Sequence, residues 1–391
     1  MVTAPTAQAV DSETFQLMLQ SIRRLVVEQL IPAETEVEES DAIPPRLVEA
    51  MKEIGLFGIA VPEEYGGLGL NMAQEVDVVL ELCRASIIFR SLVGTTNGVA
   101  GKSIIFDGTL EQKETYLPPA ARGDLIISFC LTEADAGSDA ASLRTTARRT
   151  DRGWVLNGTK RFTTNAPEAG LFVVMARTGD LASRSRGISC FLVEADTPGI
   201  TVGPPQKKMG QRGAHTADVI FEDCRVPETA LLGGKEGQGF ITAMKVLDEA
   251  RLHMAAVAVG LSRRLIDDAV RYALDRQQFG QRIADFQLIK ALLADSEADY
   301  LAAHSMTRAT AKDRVEGLRV TKAASCCKYF ATEAVWRIAD RALQIHGGYG
   351  YTAEYAVERL MRDARLLRLY EGTSQIQQLV IARELMKEFD R

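Results

Sequence analysis

Apolar side chains at Phe15, Leu19, Ile22, Val26 and Leu30 recur every three or four residues, the spacing that gathers one face of an α-helix. Asp11-Ser12 stands ahead of this run as a capping pair and Pro32 stops it. A second helix is predicted from Pro44-Pro45 through Leu47, Val48, Met51 and Ile54 to Gly55, proline being tolerated in a first turn whose N–H has no partner anyway. The loop Val61 to Gly69 breaks the pattern with Gly66, Gly67 and Gly69. Helical spacing resumes from Met72 to Arg84 and from Ser91 to Phe106, so residues 1–125 read as an all-α N-terminal domain.

Near Leu125 the period changes. Gly153-Trp154-Val155-Leu156 and Thr159-Lys160-Arg161-Phe162 flank Asn157-Gly158, a pair suited to the two positive-φ positions of a hairpin turn. Leu171 to Ala176, Ile188 to Val193 and Val219 to Phe221 continue in short β-branched or aromatic runs, giving a middle β-sheet or barrel domain over 126–233. Long helical segments then return at 238–275, 286–314 and 318–345, with shorter ones after 351 and 374. Joined by short loops, they are expected to pack as an antiparallel four-helix bundle over 234–391. The fold class is α+β, in several domains.

Composition narrows the function classes. With 391 residues, 46% of them hydrophobic, the chain can bury a large core. Lys and Arg number 46 against 52 Asp and Glu, a net charge of -6, which implies no nucleic-acid footprint, because phosphate binders carry a basic excess or stripe. No apolar run is long enough to cross a bilayer. Met1 to Val10 shows neither the basic and apolar regions of a secretory leader nor the arginines of a transit peptide, and a cytoplasmic location is expected, a processed organellar form being the alternative. Six cysteines occur without a CxxC and four histidines stand apart from one another, so no metal site is expected.

The stretch Leu369-Tyr370-Glu371-Gly372-Thr373-Ser374 carries the most suggestive chemistry. An acid held among apolar neighbours is disfavoured when charged, and its raised pKa suits it to take a proton from a weak carbon acid. Gly372 permits close backbone approach to a ligand, and Thr373 can cap the following helix. The other reading is a helix N-terminus where Glu371 merely complements the dipole.

Further motifs are equally two-sided when taken singly. Thr132 to Asp139 is either a polar interdomain loop or a backbone platform for a flat ring, with Ser138 reaching a phosphate or amide. Phe162-Thr163-Thr164 is either a strand end or a ring contact. Asp248 and Arg251 share a helix face as a plain ion pair or a ligand contact. Arg276 to Gly280 either ends a helix or meets a diphosphate and an adenine, and Gly347-Gly348-Tyr349-Gly350 lets backbone approach closely but is no GxGxxG.

In order and spacing these pieces resemble the acyl-CoA dehydrogenases across nearly the whole chain. The carriers are Val61 to Gly67, Leu131 to Asp139, Leu156 to Asn165, Met209 to Gly213, Arg276 to Gly280, Gln344 to Gly350 and Tyr370 to Thr373. The resemblance implies two helical domains around a β domain, a homotetramer, and one FAD per subunit. It implies that Phe129, Leu131, Thr132, Phe162, Thr163 and Thr164 surround the flavin, joined by Thr373 and Gln375. Arg276, Gln278, Phe279, Gln287, Gln344, Gly347 and Gly348 would hold the ADP part, commonly of a neighbouring subunit's cofactor. Ser138, Asp248, Arg251, Tyr370 and Gly372 would bind the acyl-CoA, and Glu371 would be the base, assisted by its own N–H and a ribityl hydroxyl on the thioester carbonyl. Electrons would leave through an electron-transfer flavoprotein. An oxygen-using oxidase of the same kind, or a non-catalytic acyl-CoA-binding scaffold, are the alternatives.

Some positions depart from the family pattern. Ala134 replaces a usual proline, leaving that loop less rigid, and Phe129 and Phe162 stand where Tyr and Trp are common. Ala250 fills the place where some members carry their base, and Glu249 is one residue out of register, which leaves Glu371 alone. Leu92 to Ala100, small and neutral, would form part of an acyl pocket with room for a chain of medium length or more.

Overall fold

The computed structural model describes residues 11–389, so the leader assessment on Met1 to Val10 lies outside the described residues. The first helix, α1 (Ser12–Leu25), runs on through a π-helical stretch to Leu30. Asp11 caps it, its carboxylate accepting from the Glu13 and Thr14 N–H groups at 3.1 and 3.0 Å. All five apolar positions of the opening pattern are buried. Then follow α2 (Glu34–Ser40), α3 (Pro45–Glu53), α4 (Met72–Leu82), α5 (Ile87–Asn97), α6 (Val99–Asp107) and α7 (Leu110–Ala121). The expected single helix over 91–106 is two helices: at Gly98 the backbone leaves the helical region at φ -110°, ψ -126°. Asn97, buried beside the break, reaches out to the Leu56 carbonyl at 2.7 Å.

Seven strands form one sheet: β1 (Ile127–Cys130), β2 (Thr146–Thr150), β3 (Gly153–Thr164), β4 (Leu171–Arg177), β5 (Ile188–Glu194), β6 (Ile200–Val202) and β7 (Thr216–Val226). Its order is β1-β4-β2-β3-β7-β6, with β5 also paired to β4. β4 is buried along its whole length. Leu171, Val173 and Met175 face a core shared with α6 and α7, and Phe172, Val174 and Ala176 face a second core around Trp154 and Phe191, the period-2 division that a strand covered on both faces requires.

The Asn157-Gly158 hairpin is not there. β3 runs straight through the pair, and the register with β7 slips between Leu156 and Gly158, marking a bulge. Gly158 has φ 147°, a backbone conformation that side-chain-bearing residues rarely adopt, and a Cβ there would stand 2.5 Å from the Thr145 hydroxyl. Asn157 is bonded across to β7, donating to Asp223 Oδ1 at 3.1 Å. The true hairpin turn is Asp151-Arg152, where Thr150 pairs with Gly153.

The C-terminal helices are α8 (Gly239–Asp275), α9 (Gln287–Val315), α10 (Thr321–His346), α11 (Ala356–Leu366) and α12 (Ser374–Met386). Short strands β8 (Gln277–Gln278) and β9 (Gln281–Arg282) form a small ribbon between α8 and α9. The bundle core joins Leu252, Leu261 and Leu265 of α8 to Val335 and Ile338 of α10, Leu360 of α11 and Val76 and Val79 of α4. The N-terminal helices thus share a core with the bundle. Among the described residues no helix is long and apolar enough to cross a membrane.

Candidate active site

The link between α11 and α12 carries two successive left-handed residues, Glu371 at φ 54° and Gly372 at φ 86°. For a glutamate this conformation is uncommon and unfavourable. At Gly372 a Cβ would stand 2.6 Å from Gln377 Nε2, so a side chain there would have to displace that amide. Thr373 caps α12, its hydroxyl accepting from the Ile376 N–H at 3.2 Å. Two side chains hold the turn from behind. Gln377 donates to the carbonyls of Glu371 and Gly372 at 3.1 and 3.2 Å, and Lys328 donates to the Gly372 carbonyl at 2.7 Å. The N–H groups of Glu371, Gly372 and Thr373 have no acceptor among the described residues.

Glu371 Oε2 lies out of solvent without a hydrogen-bond partner. Burial pushes this carboxyl above its ordinary pKa, with Arg90, Lys328 and Arg251 pulling the other way from a distance. Neighbouring Tyr370 packs on the bundle core, and burial pushes its phenol up as well. The helix-dipole reading of Glu371 predicts a fully solvated acid, whereas this one is half-buried with Oε2 turned out of solvent.

Arg251 and Asp248 form their expected pair on α8, but not at the surface. Arg251 is buried, its Nε has no partner, and Asp248 also accepts from the Thr321 hydroxyl at 2.8 Å. The adjacent Glu249 is engaged elsewhere, by Lys102 at 2.8 Å and Arg314 at 2.7 Å. Phe129, near the end of β1, packs with Val99, Val246 and Ala250, so the sheet edge meets α8 one turn from Asp248 and Arg251.

At that sheet edge the Arg161 N–H donates to the Thr132 carbonyl at 2.8 Å, sewing the Leu131-Thr132 segment to the end of β3. Glu133 is a buried anchor of this loop, bonded to Lys160 at 2.7 Å and to the Thr145 N–H at 2.9 Å. Ser138 is exposed further along. Phe162 is 62% exposed at φ 55°, its ring under the Arg161 guanidinium. The hydroxyls of Thr132 and Thr164 are half-buried and have no partner among the described residues, whereas Thr163 is buried with its hydroxyl toward Cys130. An exposed aromatic ring beside two unengaged hydroxyls suits a flat heteroaromatic group with hydrogen-bonding edges.

Arg276, Gln278, Phe279, Gln287, Gln344, Gly347 and Gly348 cluster at the other end of the bundle. Arg276 lies over the Tyr349 ring at 5.2 Å, and Phe279 is 93% exposed. A Cβ at Gly347 or Gly348 would meet nothing within 4 Å. Gln344 follows Lys328 by 16 residues on α10, about 24 Å along a helix. This cluster is therefore remote from its own chain's Glu371. Gln375 is exposed on the first turn of α12. Of the supposed acyl-pocket segment, Thr95 and Thr96 bond to Asn165 and Ile127 of the β domain, and Asn97 bonds to Leu56 within the N-terminal helices.

Three residues near Glu371 escaped the sequence reading: Arg90, Lys328 and Gln377. Each is an ordinary polar residue on a helix, and no local spacing marks it.

The acyl-CoA dehydrogenase N-terminal, middle and C-terminal domain models match residues 12–124, 128–224 and 237–386. The chain is 40% identical over 373 residues to caffeyl-CoA reductase-Etf complex subunit CarC of Acetobacterium woodii, covering 95% of this chain and 98% of that one. It is also 40% identical over 377 residues to the human mitochondrial short-chain specific acyl-CoA dehydrogenase, covering 96% and 91%. Among solved structures, butyryl-CoA dehydrogenase from Megasphaera elsdenii superposes with a TM-score of 0.92 at 34% identity, over 96% of this chain and 99% of that one. Matched from end to end in all three domains, the chain belongs to the acyl-CoA dehydrogenase family, whose members are FAD-dependent flavoproteins.

Proposed function

We propose that this protein dehydrogenates an acyl-CoA thioester between C2 and C3, giving the trans-2-enoyl-CoA, with Glu371 as the base. The observation that carries the reading is Glu371 Oε2, a carboxylate oxygen out of solvent and unpartnered, on a half-buried residue in a left-handed turn. Raised basicity lets it take the C2 proton. The unengaged Glu371 N–H donates to the thioester carbonyl and stabilises the charge that grows there as the proton leaves. FAD, when bound, supplies the acceptor for the C3 hydride. Phe129, Leu131, Thr132, Phe162 and Thr164 hold its ring, with Thr163 serving through its backbone and Thr373 and Gln375 adding contacts. Ser138, Asp248, Arg251, Tyr370 and Gly372 bind the CoA thioester.

Arg276, Gln278, Phe279, Gln287, Gln344, Gly347 and Gly348 hold the ADP part of a neighbouring subunit's cofactor in a homotetramer. Their exposure, and their distance along α10 from Glu371, support that assignment. An electron-transfer flavoprotein is the electron partner, a reading supported by likeness to the subunit of an Etf complex. That relative is named a reductase, which favours a second reading in which the same residues run the reaction backwards and Glu371 returns its proton to C2. Anaerobic titration of the yellow protein with acyl-CoAs of differing length and branching, then with enoyl-CoAs after chemical reduction, tests both. Bleaching by a saturated acyl-CoA is expected; a flavin that no thioester bleaches or reoxidises refutes the proposal.

A further inference from the structure

We propose that Lys328 and Gln377 are positioning residues, two buried donors from α10 and α12 that clamp the carbonyls of Glu371 and Gly372 and so hold the base in its left-handed turn. The inference rests on Glu371 being the base.

Lys328 is fully buried, with no carboxylate within 4.0 Å among the described residues, and its hydrogen bond goes to the Gly372 carbonyl. A buried ammonium without a close counter-ion is expensive in a bundle where an aliphatic residue would pack at no such cost. Burial pushes it down to about 8; Glu371 and Glu333 hold it up, and Arg251 opposes them. Gln377 is fully buried too. Its amide N–H groups go to the same turn and its Oε1 is left without a partner. Two costly polar groups thus converge on two consecutive carbonyls.

The backbone shows what the convergence achieves. With φ at 54° and 86° the peptides are turned so that the carbonyls meet the core donors, and the N–H groups of residues 371–373 are left with no acceptor among the described residues. Without the donors, Glu371 has every reason to relax toward an ordinary negative φ, displacing both its carboxylate and its N–H. The missing side chain at Gly372 is the space that the Gln377 amide occupies.

The test compares Lys328→Met, Lys328→Gln and Gln377→Met as flavin-loaded enzymes. Lys328→Met is expected to lower the rate of flavin reduction by acyl-CoA about 100-fold with KM changed less than about threefold, the signature of a displaced group rather than lost binding. Lys328→Gln, which keeps a donor without the charge, recovers about tenfold of that loss. In substrate-free protein, amide exchange of segment 368–377 is expected to rise about tenfold in Lys328→Met and to stay near wild type in Lys328→Gln. A reduction rate within about twofold of wild type in Lys328→Met, or unchanged exchange in that segment, overturns the clamp. Should Lys328→Met fail to fold, Gln377→Met carries the same two readouts with the same expectations. If no acyl-CoA bleaches the wild type while the exchange changes as expected, the clamp stands and the base assignment falls.

Discussion

Glu75 on α4 and Glu371 before α12 are both carboxylates inside the helical framework, and their acidities move in opposite directions. Burial alone would push Glu75 up, but Lys102 Nζ at 2.9 Å and His253 Nε2 at 2.9 Å bring it down to about 2. Lys102 in turn meets Glu249 at 2.8 Å, and Glu249 meets Arg314, so the charges balance along a chain from α4 through α6 and α8 to α9. Arg90, which can only donate, stands 3.5 Å from His253 Nδ1, and the other ring nitrogen, Nε2, faces Glu75 Oε2. Around Glu371 there are three cations, Arg90, Lys328 and Arg251, but none pairs with its Oε2. Donors at bonding distance make a structural acid; cations held off leave a base.

The largest expected break in this contrast is at Glu371. Glu371→Gln keeps the shape of the site and its flavin but removes the proton acceptor, and bleaching by acyl-CoA should slow by about 10²- to 10⁴-fold or more. Stopped-flow absorbance checks this; a variant that bleaches at the wild-type rate contradicts the assignment. The counterpart at Glu75 is a stability effect. Lys102→Met leaves two buried carboxylates short of a shared cation and should destabilise the protein by about 3–5 kcal/mol, read by denaturant or thermal unfolding, with flavin chemistry in the surviving folded protein near normal.

The contrast also explains what could be read from the chain. The long bundle helices were legible because their faces repeat with a 3.6-residue period, and Thr373 announced the cap of α12 by its place before an apolar run. Glu371 stood out because its neighbours on both sides are not those of a solvated acid. Lys328 did not, since a lone lysine in an amphipathic helix ordinarily lies at the surface, and only the folding of α10 against a turn 44 residues later gives it a partner. Gln375 and Gln377 differ by two residues and hence by opposite helix faces; resemblance selected Gln375, whereas the structure exposes Gln375 and buries Gln377 under the turn. Asn157-Gly158 misled because a bulge in a twelve-residue strand uses the same residues as a hairpin turn.

A smaller effect is expected at the turn itself. Gly372→Ala places a Cβ 2.6 Å from Gln377 Nε2 at φ 86°, and both the strain and the displaced amide should cost about 1–3 kcal/mol. Thermal unfolding measures the loss. A variant as stable as wild type would mean that the turn readily adopts another shape, and would weaken the distinction between a held base and a paired acid.

The smallest effect separates the two acids by the sign of their pH dependence. A carboxyl held below its unfolded value, as Glu75 is, stabilises the fold above about pH 4.5 and loses that contribution as pH falls toward 2. Glu371 is raised instead, so the folded state binds its proton more tightly than the unfolded chain does. Its contribution is neutral below the ordinary carboxylate pKa and becomes a destabilisation as pH rises through the folded value. Glu371→Gln should therefore raise the unfolding midpoint by about 1–2 °C near pH 7 and by nothing near pH 4. Glu75→Gln should do the reverse, lowering the midpoint at pH 7 and converging on wild type only in strong acid. Scanning calorimetry of both variants across pH 4–8 tests this sign: a Glu371→Gln protein less stable than wild type at neutral pH would show that Glu371 is a satisfied structural acid like Glu75.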